Sequence, residues 1–279
     1  MKSILTITSL LMLCASIFVL AADSTPAQTE ERSQELSAAE INSPESVNCH
    51  TTVSFGSGAN KIKICITAHG NIFDFESPEG FEHLTPGPDT TSGDGYVLCS
   101  SLGVHGYDAG SPEAGFGLNP TITQPGGPNT LPLTIARQTT DAKFRLTQTF
   151  EWDTTERDVT ITMILKNISA SAISSIQLAR YFEGNLDNTG GNDIYDRSND
   201  SVWGRETHAL SLTALTQTIS HLTAVETLNN WSSSTRSTCA PIHAVVPNGP
   251  GFFVGRLTYN LGSISPNASK TVKMLYRRH

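Results

Sequence analysis

Several things are scarce in this 279-residue chain. Charged residues make up 16% of it, against roughly 25% in an average globular protein, which excludes a coiled coil or an acidic disordered protein. Basic residues are in deficit: 18 Lys and Arg against 26 Asp and Glu leave a net charge of −8. A nucleic-acid partner would require a basic face to displace phosphate counterions, so none is expected. No repeat of fixed period is present, which argues against a propeller or solenoid. The chain lacks a Gly-x-Ser-x-Gly elbow, a His-Glu-x-x-His pair, a P-loop and a Rossmann fingerprint. Its eight histidines are scattered, with no i,i+2 or i,i+4 ligand pair among them. Apart from the first twenty residues, no apolar run is long enough to span a bilayer.

What is present begins with an export signal. Met1-Lys2-Ser3 supplies a positive start, Ile4 to Leu20 is mostly apolar, and Val19-Leu20-Ala21-Ala22 resembles a cleavage site. Residues 1–22 are therefore expected to be removed, taking Cys14 with them; an uncleaved membrane anchor is the alternative. Residues 23–48 carry six acidic side chains, Asp23, Glu30, Glu31, Glu35, Glu40 and Glu45, against Arg32 alone, a net −5. That composition buries little apolar surface and reads as a solvated leader.

From residue 49 to 279 the pattern has period two and predicts one domain. Val159, Ile161, Met163 and Leu165 alternate with Asp158, Thr160 and Thr162. Phe144, Leu146, Phe150 and Trp152 share one side of the preceding segment, with Gln148 the exception. Val272, Met274 and Tyr276 alternate near the C-terminus. β-Branched and aromatic residues in such alternation suit half-buried strands. Further strands are expected at 53–55, 62–66, 96–99, 131–137, 176–182, 209–213, 218–225 and 251–259. Asp153-Thr154-Thr155-Glu156 reads as a hairpin turn, and Ser265-Pro266-Asn267 suits a β-turn in which Asn takes the left-handed conformation. Residues 76–95 and 102–132 are rich in Gly and Pro and read as long irregular loops. The predicted fold class is all-β: a large antiparallel two-sheet β-sandwich with long Gly/Pro-rich loops.

The mature chain keeps Cys49, Cys65, Cys99 and Cys239, which allow two disulfides and three connectivities. Parity argues against Cys49–Cys65: Cys49 shares the odd positions of Val53 and Phe55, whereas the apolar set facing them is even, Ile62, Ile64 and Ile66. A one-residue slip would exchange the faces. No close Cys-x-x-Cys spacing suggests zinc.

One segment carries chemistry. Counted from Asn185, oxygen-bearing side chains fall at positions one, three, five, nine and twelve: Asn185, Asp187, Thr189, Asp193 and Asp196. Gly190 takes position six, where a calcium loop turns sharply. The bidentate Glu of that loop is missing and no flanking helices are apparent, so a plain polar loop competes with a calcium site. Just beyond, Tyr195, Arg197 and Trp203 (with Trp231 farther along) combine aromatic faces and polar atoms in a way that could hold a sugar; packing is the competing role. Glu76, Glu79 and Glu82 read as a solvated acidic loop.

Residues 158–169, an alternating strand ending in Asn167-Ile168-Ser169, resemble a strand of bacterial exported β-sandwich modules. Leu261-Gly262-Ser263-Ile264-Ser265-Pro266, followed by a strand reaching Tyr276, adds to the likeness. The resemblance implies fold and compartment: an immunoglobulin-like or larger supersandwich module, the latter as in mutarotase-like and carbohydrate-active proteins. The catalytic His–Glu set of mutarotases is not found, so that chemistry is not implied. Asn167, Asn199, Asn230 and Asn267 each open an Asn-x-Ser sequon, of consequence only in a eukaryotic source. The expected function is a secreted or periplasmic binding module for carbohydrate or a cell-surface polymer. A structural envelope protein with protein partners and a carbohydrate-active enzyme are the alternatives. No membrane association is expected after signal cleavage.

Overall fold

The computed structural model describes residues 48–84, 93–110, 112–152, 157–188, 193–227, 237–239, 251 and 253–279. The predicted signal, almost all of the acidic leader, Thr189, Trp231 and the turn at 153–156 lie outside these residues. Every described residue belongs to one compact unit. Among them there is no α-helix; the elements are strands and two short 3₁₀ turns.

The larger sheet has eight strands. In spatial order they are β12 (Ile194–Arg197), β13 (Ser201–Arg205), β14 (Ala209–Ala214), β17 (Ser269–Arg278), β10 (Asp158–Asn167), β9 (Phe144–Trp152), β8 (Leu133–Gln138) and β7 (Thr121–Thr123). The second sheet has six: β15 (His221–Thr227), β16 (Phe253–Ile264), β11 (Ile173–Gly184), β4 (Asp94–Ser100), β5 (Gly103–Asp108) and β6 (Glu113–Ala114). A three-stranded sheet of β1 (Cys49–Phe55), β2 (Ile62–Thr67) and β3 (Ile72–Glu76) completes the fold. All pairings are antiparallel. The expected all-β two-sheet sandwich is the observed architecture.

Alternation puts the core where the sequence placed it. Val159, Ile161, Met163 and Leu165 are all buried, and they meet Leu178, Phe182, Leu257 and Tyr259 of the opposing sheet in one apolar cluster. Val53, Ile64 and Phe75 of the small sheet join the same cluster. Each such side chain contributes about 1.5–3 kcal/mol by leaving water. Ser265-Pro266-Asn267 turns the chain from β16 in one sheet to β17 in the other, with Asn267 at φ 61°, left-handed as expected. The stretch 102–132 is less irregular than its composition suggested, since β5, β6 and β7 fall within it.

Both disulfides form, and one corrects the parity argument: Cys49 bonds Cys65, and Cys99 bonds Cys239. The register jumps between Cys49 and Thr51, a β-bulge. The extra residue turns Cys49 onto the face of Thr52, whose cross-strand partner is Cys65. Two disulfides are the chemistry of an oxidising compartment. No helix among the described residues is long and apolar enough to cross a membrane.

Polar side chains also cross the interior. Arg180 is fully buried on β11 and ion-pairs with Asp94 of β4. It also donates to Gln148 Oε1 of β9 in the opposite sheet at 2.7 Å. The hydroxyl of Tyr276 donates to Asp94 at 2.7 Å. Gln148, the apolar pattern's exception, is thus the inter-sheet partner of a buried guanidinium. Nearby, Arg137 donates to Asp108 (2.5 Å) and Glu113 (2.7 Å), and His69 lies 3.1 Å from Glu113. Burial opposes a charge on His69, but bonding to Asp108 and Glu113 outweighs it and lifts its pKa to about 9.

Candidate functional site

Of the segment singled out in the sequence, residues 185–188 and 193–197 are described. Beyond β11 the chain turns sharply, with Asp187 and Asn188 both left-handed (φ 57° and 55°). The Asp187 carboxylate accepts from the backbone N–H of His208 at 2.8 Å and contacts its Nδ1 at 2.5 Å. Burial pushes its pKa up, yet these bonds hold it below the usual carboxylate range. Asn185 Nδ2 donates to Asn188 Oδ1 at 3.3 Å. Asp193 is buried; one oxygen takes the Leu186 N–H at 3.3 Å and the other has no partner. Burial, with Glu206 and Asp187 near, pushes the Asp193 pKa up to about 7. Asp196 accepts from the Arg197 N–H at 2.7 Å. No three of these carboxylates converge at metal-ligand spacing; Thr189 falls outside the described residues.

The aromatic residues divide between faces. Tyr195 is 2% exposed and stacks on Phe253 with ring centroids 5.2 Å apart, so it packs the core instead of offering a face to a ligand. Arg197 donates to the Thr223 carbonyl at 3.0 Å. Trp203 is half-buried and pairs with Asp196 across β12 and β13, on the face opposite Tyr195. An acid and an aromatic ring therefore stand side by side there.

Among the described residues, two groups of three could approach a metal: His69, Asp108 and Glu113, and Asp74, Glu76 and Glu82. Arg137 already holds both carboxylates of the first; in the second Lys63 holds Asp74 and Glu76, and Glu82 accepts the backbone N–H groups of Phe75 and Leu84. Both fit internal ion-pair networks better than a metal site.

A constellation that the sequence reading did not assemble lies on the outer face of the six-stranded sheet. In β11, Leu178 and Phe182 point into the sandwich, so Ala179, Tyr181 and Glu183 point out. The same parity turns Val254 and Arg256 outward on β16, and Ala224 and Glu226 outward on β15. Register then fixes neighbours. Tyr181 pairs with Arg256, which pairs with Ala224; Glu183 pairs with Val254, which pairs with Glu226. Two strand spacings separate the backbones of Glu183 and Glu226, about 9–10 Å.

This outer face is nevertheless buried: Tyr181, Glu183, Glu226 and Arg256 are all 5% exposed or less. Residues 237–239 lie on it. Cys239 bonds Cys99 and packs with Val97 and Ala179, and Arg256 donates to the Thr238 carbonyl. Gly95 permits the arrangement, because a Cβ there would stand 2.4 Å from the Tyr181 ring. Neither carboxylate oxygen of Glu226 has a hydrogen-bond partner. Burial pushes its pKa up to about 7 although Arg256 pulls the other way, and burial lowers Arg256 to about 10. The face thus holds a carboxyl that is neutral in mild acid, a guanidinium, a second carboxyl and a tyrosine.

One signal could have found it. Arg180 and Glu183 are the two charged residues of β11 and stand at opposite parity, so one had to face inward and the other outward.

No family model matches the chain, and no curated protein gives a significant match. Solved structures do share its architecture. A bacterial glucoamylase complexed with acarbose aligns over 86% of this chain and 34% of its own, with TM-score 0.58 and 8% identity. The chain thus spans about a third of the glucoamylase's length. A candidate aldose 1-epimerase from Escherichia coli K12 aligns over 82% of this chain and 99% of its own, with TM-score 0.51 and 11% identity. At such identities the likeness defines the fold, a large two-sheet sandwich.

Proposed function

We propose that the protein is exported and binds a carbohydrate on the outer face of the six-stranded sheet. The observation that carries this reading is Glu226: a buried carboxyl with both oxygens unpartnered, beside Arg256. Buried polar groups ordinarily find partners, so an unsatisfied one calls for a ligand group. A sugar offers hydroxyls to Glu226 and Arg256. The two structural neighbours named above are, by their own descriptions, sugar-handling proteins, and the apparent export signal and the disulfides fit a secreted or periplasmic setting.

A second reading, acid–base catalysis on a sugar, is favoured by the two carboxyls flanking Val254. Their backbone spacing is compatible with the roughly 6.5–9.5 Å between carboxyl groups in inverting glycosidases. Glu226 would donate the proton and Glu183 would act as base.

The test is a glycan array followed by calorimetry on wild type, Glu226→Gln and Trp203→Ala. Affinity should fall at least tenfold in Glu226→Gln and stay near wild type in Trp203→Ala. No binding to any glycan by folded wild type, or a loss confined to Trp203→Ala, would defeat the assignment. Turnover of the bound glycan would select the enzymatic reading.

A further inference from the structure

At the other end of β4, residues of two hairpins, β4–β5 and β8–β9, meet. His105 Nε2 lies 2.6 Å from Ser100 Oγ, and His105 Nδ1 lies 2.6 Å from Asp141 Oδ2. We propose that Ser100, His105 and Asp141 form a nucleophile, base and orienting acid that transfer the acyl group of a carboxylic ester. It goes beyond the carbohydrate reading and does not depend on it.

The backbone builds the arrangement deliberately. Leu98 pairs with Gly106 and Cys99 with Val104, so His105 is the extra residue of a β-bulge, a device that re-aims a side chain. The Phe144 ring packs edge-on against the imidazole at 4.7 Å. Asp141 is fixed by two donors besides the histidine, Thr139 Oγ1 at 2.6 Å and Lys143 N at 3.0 Å. Burial pushes the Asp141 pKa up, but its bonds from Thr139 and His105 prevail and lower it, so it is ionised. The residue after it, Ala142, is held left-handed at φ 55°, a cost that turns tolerate when they position a group.

The proton positions follow from the partners. A carboxylate only accepts, so Nδ1 of neutral His105 carries the hydrogen and Nε2 is bare. Nε2 can then only accept, and the Ser100 hydroxyl must donate to it. Oγ also accepts from the Leu102 N–H at 3.0 Å, which holds it in place. This is the tautomer that general-base activation of a serine requires. The base is shielded, with the His105 side chain 2% exposed, while Ser100 is half-buried beside the exposed Leu102.

The chemistry closes without a cofactor. Ser100 Oγ attacks the ester carbonyl as its proton passes to His105 Nε2. The tetrahedral intermediate collapses, the C–O bond to the alcohol breaks, and the alkoxide takes the proton from Nε2. Water then attacks the acyl-serine, His105 again receives the proton and returns it to Ser100, and the carboxylic acid leaves. The N–H of Ser101 already donates to the Ser174 carbonyl at 3.0 Å. A missing oxyanion donor costs about 10²–10³ in rate, so turnover should be slow. The substrate class is a small acyl ester of an alcohol.

The experiment treats the folded full-length protein with an alkyl fluorophosphonate and maps the adduct by mass spectrometry. One adduct on Ser100 is expected, absent from Ser100→Ala and from urea-unfolded protein. Labelling should be at least tenfold slower in His105→Gln and Asp141→Asn. p-Nitrophenyl acetate should give slow hydrolysis that is lost in Ser100→Ala. Folded wild type that takes no adduct, an adduct elsewhere, or Ser100 labelling at full rate in His105→Gln variants shown to be folded would overturn the proposal. The last result would leave the three residues as a clamp between the β4–β5 and β8–β9 turns.

Discussion

Glu183 and Glu226 pair with the same residue, Val254, from opposite sides. The central strand β16 thus holds two carboxyls at one level of the sheet, with Arg256 one outward position along. Strand register alone produces this, since both glutamates lie at outward parity on strands flanking β16.

Glu226 makes stability depend on pH. In the folded protein its pKa is about 7; in the unfolded chain it is about 4.3. Below the lower value both states are protonated and its contribution is complete. As pH rises, the unfolded chain ionises first, so stability falls until the folded carboxyl ionises near 7 and is then level. Urea unfolding at pH 5, 6 and 8 should show this decline, with Asp193, also raised to about 7, contributing in the same direction. Glu226→Gln should flatten the profile and gain on the order of 1–3 kcal/mol over wild type at pH 8. Equal slopes in the two proteins would refute the account.

Arg180 and Asp94 are both completely out of water. Removing one charge leaves the other buried alone, so Asp94→Asn or Arg180→Met should each cost about 3–5 kcal/mol. The double change Arg180→Met with Asp94→Leu should cost less than the sum of the single changes. Denaturant midpoints and a double-mutant cycle measure both.

Gly204 lies under the Phe253 ring, where a Cβ would stand 2.2 Å from Cζ. Gly204→Ala should therefore overpack the interior and cost about 1–3 kcal/mol. A companion Phe253→Leu change should recover part of the loss, read as a melting temperature above that of Gly204→Ala alone.

The two disulfides should not be equivalent. They close separations of 140 and 16 residues. Chain entropy assigns about 3 kcal/mol to a loop of some 15 residues and more than about 4 kcal/mol to one beyond a hundred. Cys99→Ser with Cys239→Ser should accordingly lower the melting temperature more than Cys49→Ser with Cys65→Ser. The reverse order would show that local contacts outweigh the entropy.

The sheets were legible because burial on one face leaves a period-two record, as in Val159 through Leu165. Strand β5, Gly-Val-His-Gly-Tyr-Asp, leaves no such record: its four C-terminal residues are all buried, and it contains a bulge. The bulge after Cys49 defeated parity for the same reason, one added residue that changes the face without changing the composition. Gln148 broke the apolar pattern because its partner, Arg180, comes from the opposite sheet. The outer-face group was illegible as a motif, since Tyr181, Glu226 and Arg256 meet only through pairing between strands distant in sequence. Tyr195 misled because an aromatic beside acidic residues has the same local appearance whether it packs inward or faces water.

Strand β17 lies between β14 and β10, so the two halves of the eight-stranded sheet are joined through residues 269–278. Nothing made earlier on the ribosome can close that sheet. The eight-stranded sheet therefore stays incomplete until the last strand, through Arg278, is available, so its folding depends on the end of the chain rather than on its middle.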